Sequence, residues 1–233
     1  MAARASEIGR TGKVLNPIIP LYSRGMIIAV DGPTASGKGT IAKALAAHFG
    51  LPHLDTGLLY RAAGRQVFLD GGDPDDGGDA LAGCGFPDRL LLDPELRSEE
   101  TGGLASRVSV HPSVRQALYE RQRRFALQPG GAVLDGRDIG TVIAPEADVK
   151  LFVTASVEAR AERRWKEMAE RGGSRTLEEI VADLRLRDER DRTRAAAPLV
   201  AAEDAIVLDT SGLNRAAAIE AAIRLAEERL AAG

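Results

Sequence analysis

Between Ile27 and Thr40 the chain reads IIAVDGPTASGKGT. An apolar, β-branched run stops at Asp31, a loop of small residues follows, and Lys38 opens a helical pattern. The spacing from Gly32 to Lys38 fits G-x-x-x-x-G-K directly after a strand and at the start of a helix, the context in which such a loop holds phosphate. Glycine lets backbone N–H groups converge on phosphate oxygens, and the helix start adds about half a positive charge. The lysine ammonium reaches the terminal phosphates. Gly32, Pro33, Thr34, Ala35, Ser36, Gly37, Lys38, Gly39 and Thr40 are therefore candidates for binding a nucleoside triphosphate. The common motif places Ser or Thr directly after the lysine to hold Mg2+. Here Gly39 intervenes and the hydroxyl arrives at Thr40. A hard cation also needs a carboxylate, and Asp135, closing the run AVLD, is the best placed. Asp135 and Thr40 are the candidate Mg2+ ligands, directly or through water.

Strand-like and helix-like segments alternate along the rest of the chain. MIIAV (26–30), AVL (132–134), VKLFV (149–153) and AIVL (205–208) are short runs of the kind found in buried parallel strands. Lys38–Phe49 places Ile41, Ala44, Leu45 and His48 on one side and ends at Gly50. Thr176 followed by Glu179 is a capping box, opening a helix that runs toward Pro198. A last, Ala-rich helix spans about 214–231. This alternation predicts an α/β fold on a parallel sheet.

The interval Asp70–Glu100 breaks the rhythm, with ten acidic residues against two basic and six glycines between Gly71 and Gly85. It reads either as a mobile, solvated surface loop or as an inserted flap over a ligand. Residues 1–25 read as an extension, or as a start assigned upstream of a working Met26. The single cysteine, Cys84, excludes an intramolecular disulfide and suits a reducing compartment. No run approaches the ~18 apolar residues of a membrane span. The net charge of −3 does not advertise a nucleic-acid partner, and His48, His53 and His111 lack metal-ligand spacing.

The loop indicates a nucleotide without naming the reaction. An N-K-x-D guanine reader is missing, which argues against a GTPase. Ten arginines lie between Arg160 and Arg194, interleaved with acids, so a solvated, salt-bridged helix is one reading. Arg187, Asp191 and Arg194 stand apart because their spacing puts them on one helix face. Arg137 and Asp138 follow the strand AVLD, at the sheet edge where open α/β folds bind ligands. Asp55-Thr56-Gly57 with Tyr60-Arg61 follows another predicted strand. Arginines plus polar readers suit a phosphorylated acceptor, which is a kinase arrangement.

The stretches AVDGPTASGKGT, LPHLDTGLLYRAA, ASRVSVHPSVRQALYERQRRF, VLDGRDIGTVIAPEADVKLFVTAS and LRLRDERDRTRAAAPLV, in this order, resemble bacterial cytidylate kinases of the nucleoside-monophosphate kinase group. The resemblance covers most of residues 26–210. It implies a P-loop NTPase-type three-layer fold on a five-stranded parallel sheet. The core would comprise 26–69 and 112–233, with a monophosphate-binding insert at about 70–111 and a short lid at about 163–177. The CMP-binding residues it implies are Thr56, Tyr60, Arg61, Ser106, Arg115, Arg137, Asp138, Arg187, Asp191 and Arg194. Lys38, Arg137, Arg163 and Arg164 would act on the transferring phosphoryl group. The insert is abbreviated relative to the strand-bearing insert usual in that family. The implied reaction is transfer from ATP, with Mg2+, to CMP or dCMP by a cytoplasmic monomer. A carboxylate suits the exocyclic amine of cytosine, so Asp138 is the expected base reader, assisted by Arg194 and Ser106, with Arg187 and Asp191 facing the sugar. Another small-acceptor kinase, for adenylate or uridylate, and a nucleotide-binding regulator that grips RNA are the alternatives. The near-neutral arginine cluster and 4% aromatic content speak against the latter.

Overall fold

The structure is a computed structural model that describes residues 25–170 and 173–232. Strands β1 (Met26–Asp31), β2 (His53–Asp55), β3 (Gly131–Gly136), β4 (Val149–Thr154) and β5 (Ile206–Asp209) form one parallel sheet in the order β2-β3-β1-β4-β5. All six residues of β1 are buried, as a central strand covered on both faces must be. Its side chains alternate between two cores. Ile28 and Val30 join Val133, Leu151 and Val153 beneath helices α1 (Lys38–Phe49) and α8 (Arg215–Ala232). Ile27 and Ala29 join Leu134, Ile139, Ile143 and Ala126 on the other face, where α5 (Pro112–Ala126) packs. The three layers follow from that alternation.

Helix α1 begins and ends where the sequence predicts, with Gly50 capping it at φ 67. Its buried face differs from the expected one. Ile41, Ala42, Leu45 and Ala46 are buried, whereas His48 is turned outward and meets Glu227 of α8 at 2.8 Å. The capping box at Thr176 and Glu179 opens α7 (Leu177–Thr193), which ends at Thr193, short of Pro198. Helix α7 packs against α6 (Val157–Glu170) through Ala161, Ile180 and Leu184. Residues 171–172 of the expected lid and 1–24 of the expected extension lie outside the described residues.

The interval 70–100 is folded, which corrects the expectation of a solvated loop. It holds α3 (Gly77–Gly83), two 3-10 turns (Asp88–Leu92 and Pro94–Arg97) and the start of α4 (Glu99–Val108). Phe86, Leu90 and Leu96 turn inward against Leu59, Ala63 and Val67 of α2 (Thr56–Leu69), and with Val108, Val114 and Leu118 they form a third core. The acids that make the segment look like a loop include its caps. Asp76 accepts from Gly78 and Asp79 N–H, and Asp93 accepts from Glu95 N–H. The resemblance-based boundary at residue 70 thus runs through this third core, which α2 and α5 share with the insert.

Candidate nucleotide site

The loop between β1 and α1 is built for close approach to a ligand. Gly32 sits at φ 153, and a Cβ there would lie 2.0 Å from the Val153 carbonyl oxygen. Ala35 is held at φ 61, a left-handed conformation that costs energy for a residue with a Cβ. Ser36 is fully buried with its hydroxyl unpaired, a polar atom aimed at a loop made for anions.

Neighbouring elements fix the loop. Arg137 donates from Nη2 to the Thr34 hydroxyl at 2.5 Å and from Nη1 to the Gly32 carbonyl at 3.2 Å. Arg160 donates to the Thr34 carbonyl at 3.2 Å. The Thr210 hydroxyl, after β5, donates to the Ser36 carbonyl at 2.9 Å.

Two clefts open from this loop. One, of about 240 Å3, is enclosed by the phosphate loop, α2, α4 and the segments after β3 and along α7. Every residue expected to bind CMP lines it: Thr56, Tyr60, Arg61, Ser106, Arg115, Arg137, Asp138, Arg187, Asp191 and Arg194. The other, of about 610 Å3, runs from Ala35, Ser36, Gly37 and Thr40 toward Arg163 and the start of α8. Ala35, Lys38, Gly39, Asp55 and Arg164 border both. Gly32 and Pro33 lie buried behind these walls.

At the inner end of the smaller cleft, Arg115 donates to Asp138 at 2.5 Å and lies over the Tyr60 ring at 5.4 Å. Burial pushes the Arg115 guanidinium down, but Asp138, Tyr60 and Asp191 together outweigh it and hold it above its ordinary value. Arg194 approaches Asp138 at 3.8 Å and Asp191 at 3.9 Å, leaving its Nη2 buried without a hydrogen bond. Asp191 accepts from Arg137 Nε at 2.7 Å. Burial raises the Asp191 carboxyl, yet Arg137, with Arg187 and Arg194, brings it below its ordinary value. That bond engages one oxygen of a carboxylate expected to face the sugar. Arg61 donates to the carbonyls of Leu96 and Ser98 at 2.8 and 2.9 Å, tying the cleft wall to the insert.

Where the clefts meet, positive charge is short of partners. Burial and then Arg137 push Lys38 down to about 7, and among the described residues its ammonium reaches only the Pro33 carbonyl, at 3.4 Å. Arg187 is pushed down to about 9, first by burial and then by Arg137, and its Nε is buried without a hydrogen bond.

Arg163 and Arg164 part company. Arg163 lines the larger cleft, where its guanidinium donates to the Thr210 hydroxyl at 3.1 Å and to the Thr210 carbonyl. Arg164 borders both clefts and pairs with Glu99 of α4, joining α6 to the insert.

Two neighbours, His53 and Arg190, and one pairing, Asp55 with Asp135, escape a reading of sequence alone. Asp55 pairs in register with Asp135 across β2 and β3, and burial followed by Asp135 raises its carboxyl. His53 Nε2 meets Asp135 Oδ1 at 2.7 Å. Arg190 donates to the Ser106 hydroxyl at 2.7 Å. The usable signal was register: His53 and Asp55 are two apart on one strand and so share a face with each other.

Comparison with known proteins places this chain among relatives. The family profile described as Cytidylate kinase matches residues 28–76 and 88–228. A cytidylate kinase of Xanthobacter autotrophicus is 58% identical, over 88% of this chain and 99% of the relative. One from Cereibacter sphaeroides is 57% identical, over 88% of this chain and 97% of the relative. The crystal structure of an uncharacterized protein from Eubacterium ventriosum covers 90% of this chain and 100% of its own, with a TM-score of 0.52 at 15% identity, a likeness of fold alone. With the profile spanning nearly the whole described sheet and the relatives matched end to end, the chain belongs to the cytidylate kinase family.

Proposed function

We propose that the two clefts are the donor and acceptor sites of one transfer, in which the γ-phosphoryl group of ATP passes to CMP or dCMP to give ADP and CDP or dCDP. The observation that carries this reading is their meeting at Lys38, Gly39 and Arg164, where phosphates entering from either side converge. The acceptor oxygen belongs to a phosphate already ionised at neutral pH, so no strong general base is required. Positioning and charge stabilisation do the work. In this reading Lys38, Arg137, Arg164 and Arg187 neutralise the charge spreading over the moving group. Arg163 acts from the donor side. Asp138, braced by Arg115, accepts from the exocyclic amine of cytosine, and Arg194 and Ser106 complete the base contact.

The residues at the junction fit Mg2+. Asp135 is 4% exposed, with Oδ2 turned toward Gly39, and Asp55 lies beside it. A small hard cation that keeps several waters and shares the donor phosphates suits one or two such carboxylates. Asp135, with Asp55 and the Thr40 hydroxyl directly or through water, would hold it. When bound it supplies charge neutralisation on the donor phosphates.

The reading also includes a monomer in the cytoplasm with small-molecule partners only. Cys84 has no second cysteine to pair with, which suits a reducing compartment. Among the described residues no helix is long and apolar enough to cross a membrane.

The test is ADP release with ATP and Mg2+, separately with CMP, dCMP, UMP, AMP and no acceptor. Rapid release with the cytidylates alone is expected. Equal rates with all acceptors, or with none, would overturn the assignment of the smaller cleft.

A further inference from the structure

Asp31 is the last residue of β1, 6% exposed, and it lines neither cleft. A buried carboxylate is costly unless its oxygens are engaged. Here Oδ1 accepts from the Ile139 N–H at 2.9 Å and Oδ2 from the Gly140 N–H at 2.8 Å. These amides open the π-helical turn Ile139–Ile143, and they directly follow Asp138. The next residue after Asp31 contributes a further tie, because the Gly32 carbonyl accepts from Arg137 at 3.2 Å. The strand that launches the phosphate loop is thus stapled to the segment carrying Arg137 and Asp138. Burial pushes the Asp31 carboxyl up to about 7, against the pull of the two amides, so the arrangement is retained at a cost to the carboxylate.

We infer that Asp31 is a positioning residue for base recognition: it touches no nucleotide, and by holding the Ile139 and Gly140 amides it sets where the Asp138 carboxylate stands relative to the phosphate loop. The inference rests on the reading of the smaller cleft as the CMP site. A carboxylate can accept from both amides at once. An asparagine would offer one acceptor oxygen and set its own N–H group against the second amide. The segment would then lose one charge-assisted bond next to the base reader.

The experiment compares the unaltered protein with Asp31→Asn, measuring KM and kcat for CMP and UMP and KM for ATP. The KM for CMP is expected to rise about tenfold, and the preference for CMP over UMP to fall about tenfold, as losing one hydrogen bond to a charged group implies. kcat for CMP and KM for ATP should stay within about twofold, because the atoms that meet the triphosphate are untouched. A lowered melting temperature with KM for CMP and the base preference unchanged would make Asp31 merely structural and overturn the proposal. So would an equal rise in KM for ATP and CMP.

Should Asp31→Asn fail to fold, Gly140→Ala decides. Its added methyl would crowd the Lys150 stem at 3.2 and 3.3 Å and touch Asp31 Oδ2 at 3.4 Å, so the turn must shift and carry the Gly140 amide with it, the carboxylate kept. A selective rise of about threefold in KM for CMP is expected, as a partly weakened bond would give, and no rise would overturn the proposal. If the unaltered protein released no ADP in response to CMP, the functional reading itself would fall, and the role of Asp31 with it.

Discussion

Two arginines near the phosphate loop, one buried and one half-buried, are partnered in opposite ways. Arg160, on α6, is 2% exposed and meets Asp188 of α7 at 3.0 and 2.5 Å. Its remaining donors reach the Ala155 and Thr34 carbonyls, so the protein itself satisfies the guanidinium. Arg187 precedes Asp188 on the same helix and makes no ion pair among the described residues. Its neighbour Arg137 is spent on Asp191 and the loop. One cation is part of the scaffold, whereas the other is held in an electrostatic deficit that a phosphate would relieve. Burial alone does not distinguish a satisfied arginine from an unsatisfied one; the ownership of the nearest carboxylate does.

Substitution should separate the two. Arg187→Met should lower kcat/KM for CMP by about 10³-fold, the scale of a lost arginine at a transferring phosphoryl group. Its melting temperature should hold or rise, because an uncompensated buried charge has gone. A clear fall in melting temperature would break the comparison. Arg160→Met should do the reverse, costing about 3–5 kcal/mol of stability in denaturant titration by stranding the Asp188 carboxylate. Activity in whatever fraction stays folded should fall far less than in Arg187→Met.

A subtler measurement concerns Lys38, a second cation in deficit. Its folded value of about 7 lies below its unfolded value of 10.5, so the folded empty site holds it largely neutral at pH 8. By linkage the unfolded chain binds more protons between these values, and this group therefore makes stability rise with pH across that window. Phosphate oxygens reverse the deficit. ATP binding at pH 8 should take up part of a proton, seen by calorimetry in buffers of different ionisation enthalpy, and the uptake should vanish in Lys38→Met. Identical uptake in both would show that Lys38 is not the group being recharged.

What could be read from the residues followed the range of the interaction. The loop, α1 and the capping box of α7 are set by neighbours within a few positions, and the structure places them where the spacing does. His48 was misassigned because helical periodicity fixes a stripe's spacing but not which of two adjacent stripes faces the sheet; the contact with Glu227 lies 179 residues away. Over 70–100 composition leaves a solvated loop and an inserted flap open for a different reason. Glycines and acids were counted as composition, while Asp76, Asp93 and Ser98 act individually as caps, and Leu90 and Leu96 find their apolar partners on α2. The residues that family resemblance assigns to one acceptor all line a single cleft. The pairings among them, Arg137 with Asp191 or Arg190 with Ser106, depend on side-chain reach across elements. No spacing rule encodes that reach.

The strand order β2-β3-β1-β4-β5 has a consequence for synthesis. Strand β1 emerges first, yet the partners on its two sides are residues 131–136 and 149–152. On a ribosome its exposed edges must wait for more than a hundred residues before either is covered. The third core draws instead on a contiguous stretch, Leu59 to Leu118, whose closures are shorter. That helical unit can consolidate while the phosphate loop still lacks its sheet, so the nascent chain would carry a folded middle before it has a beginning.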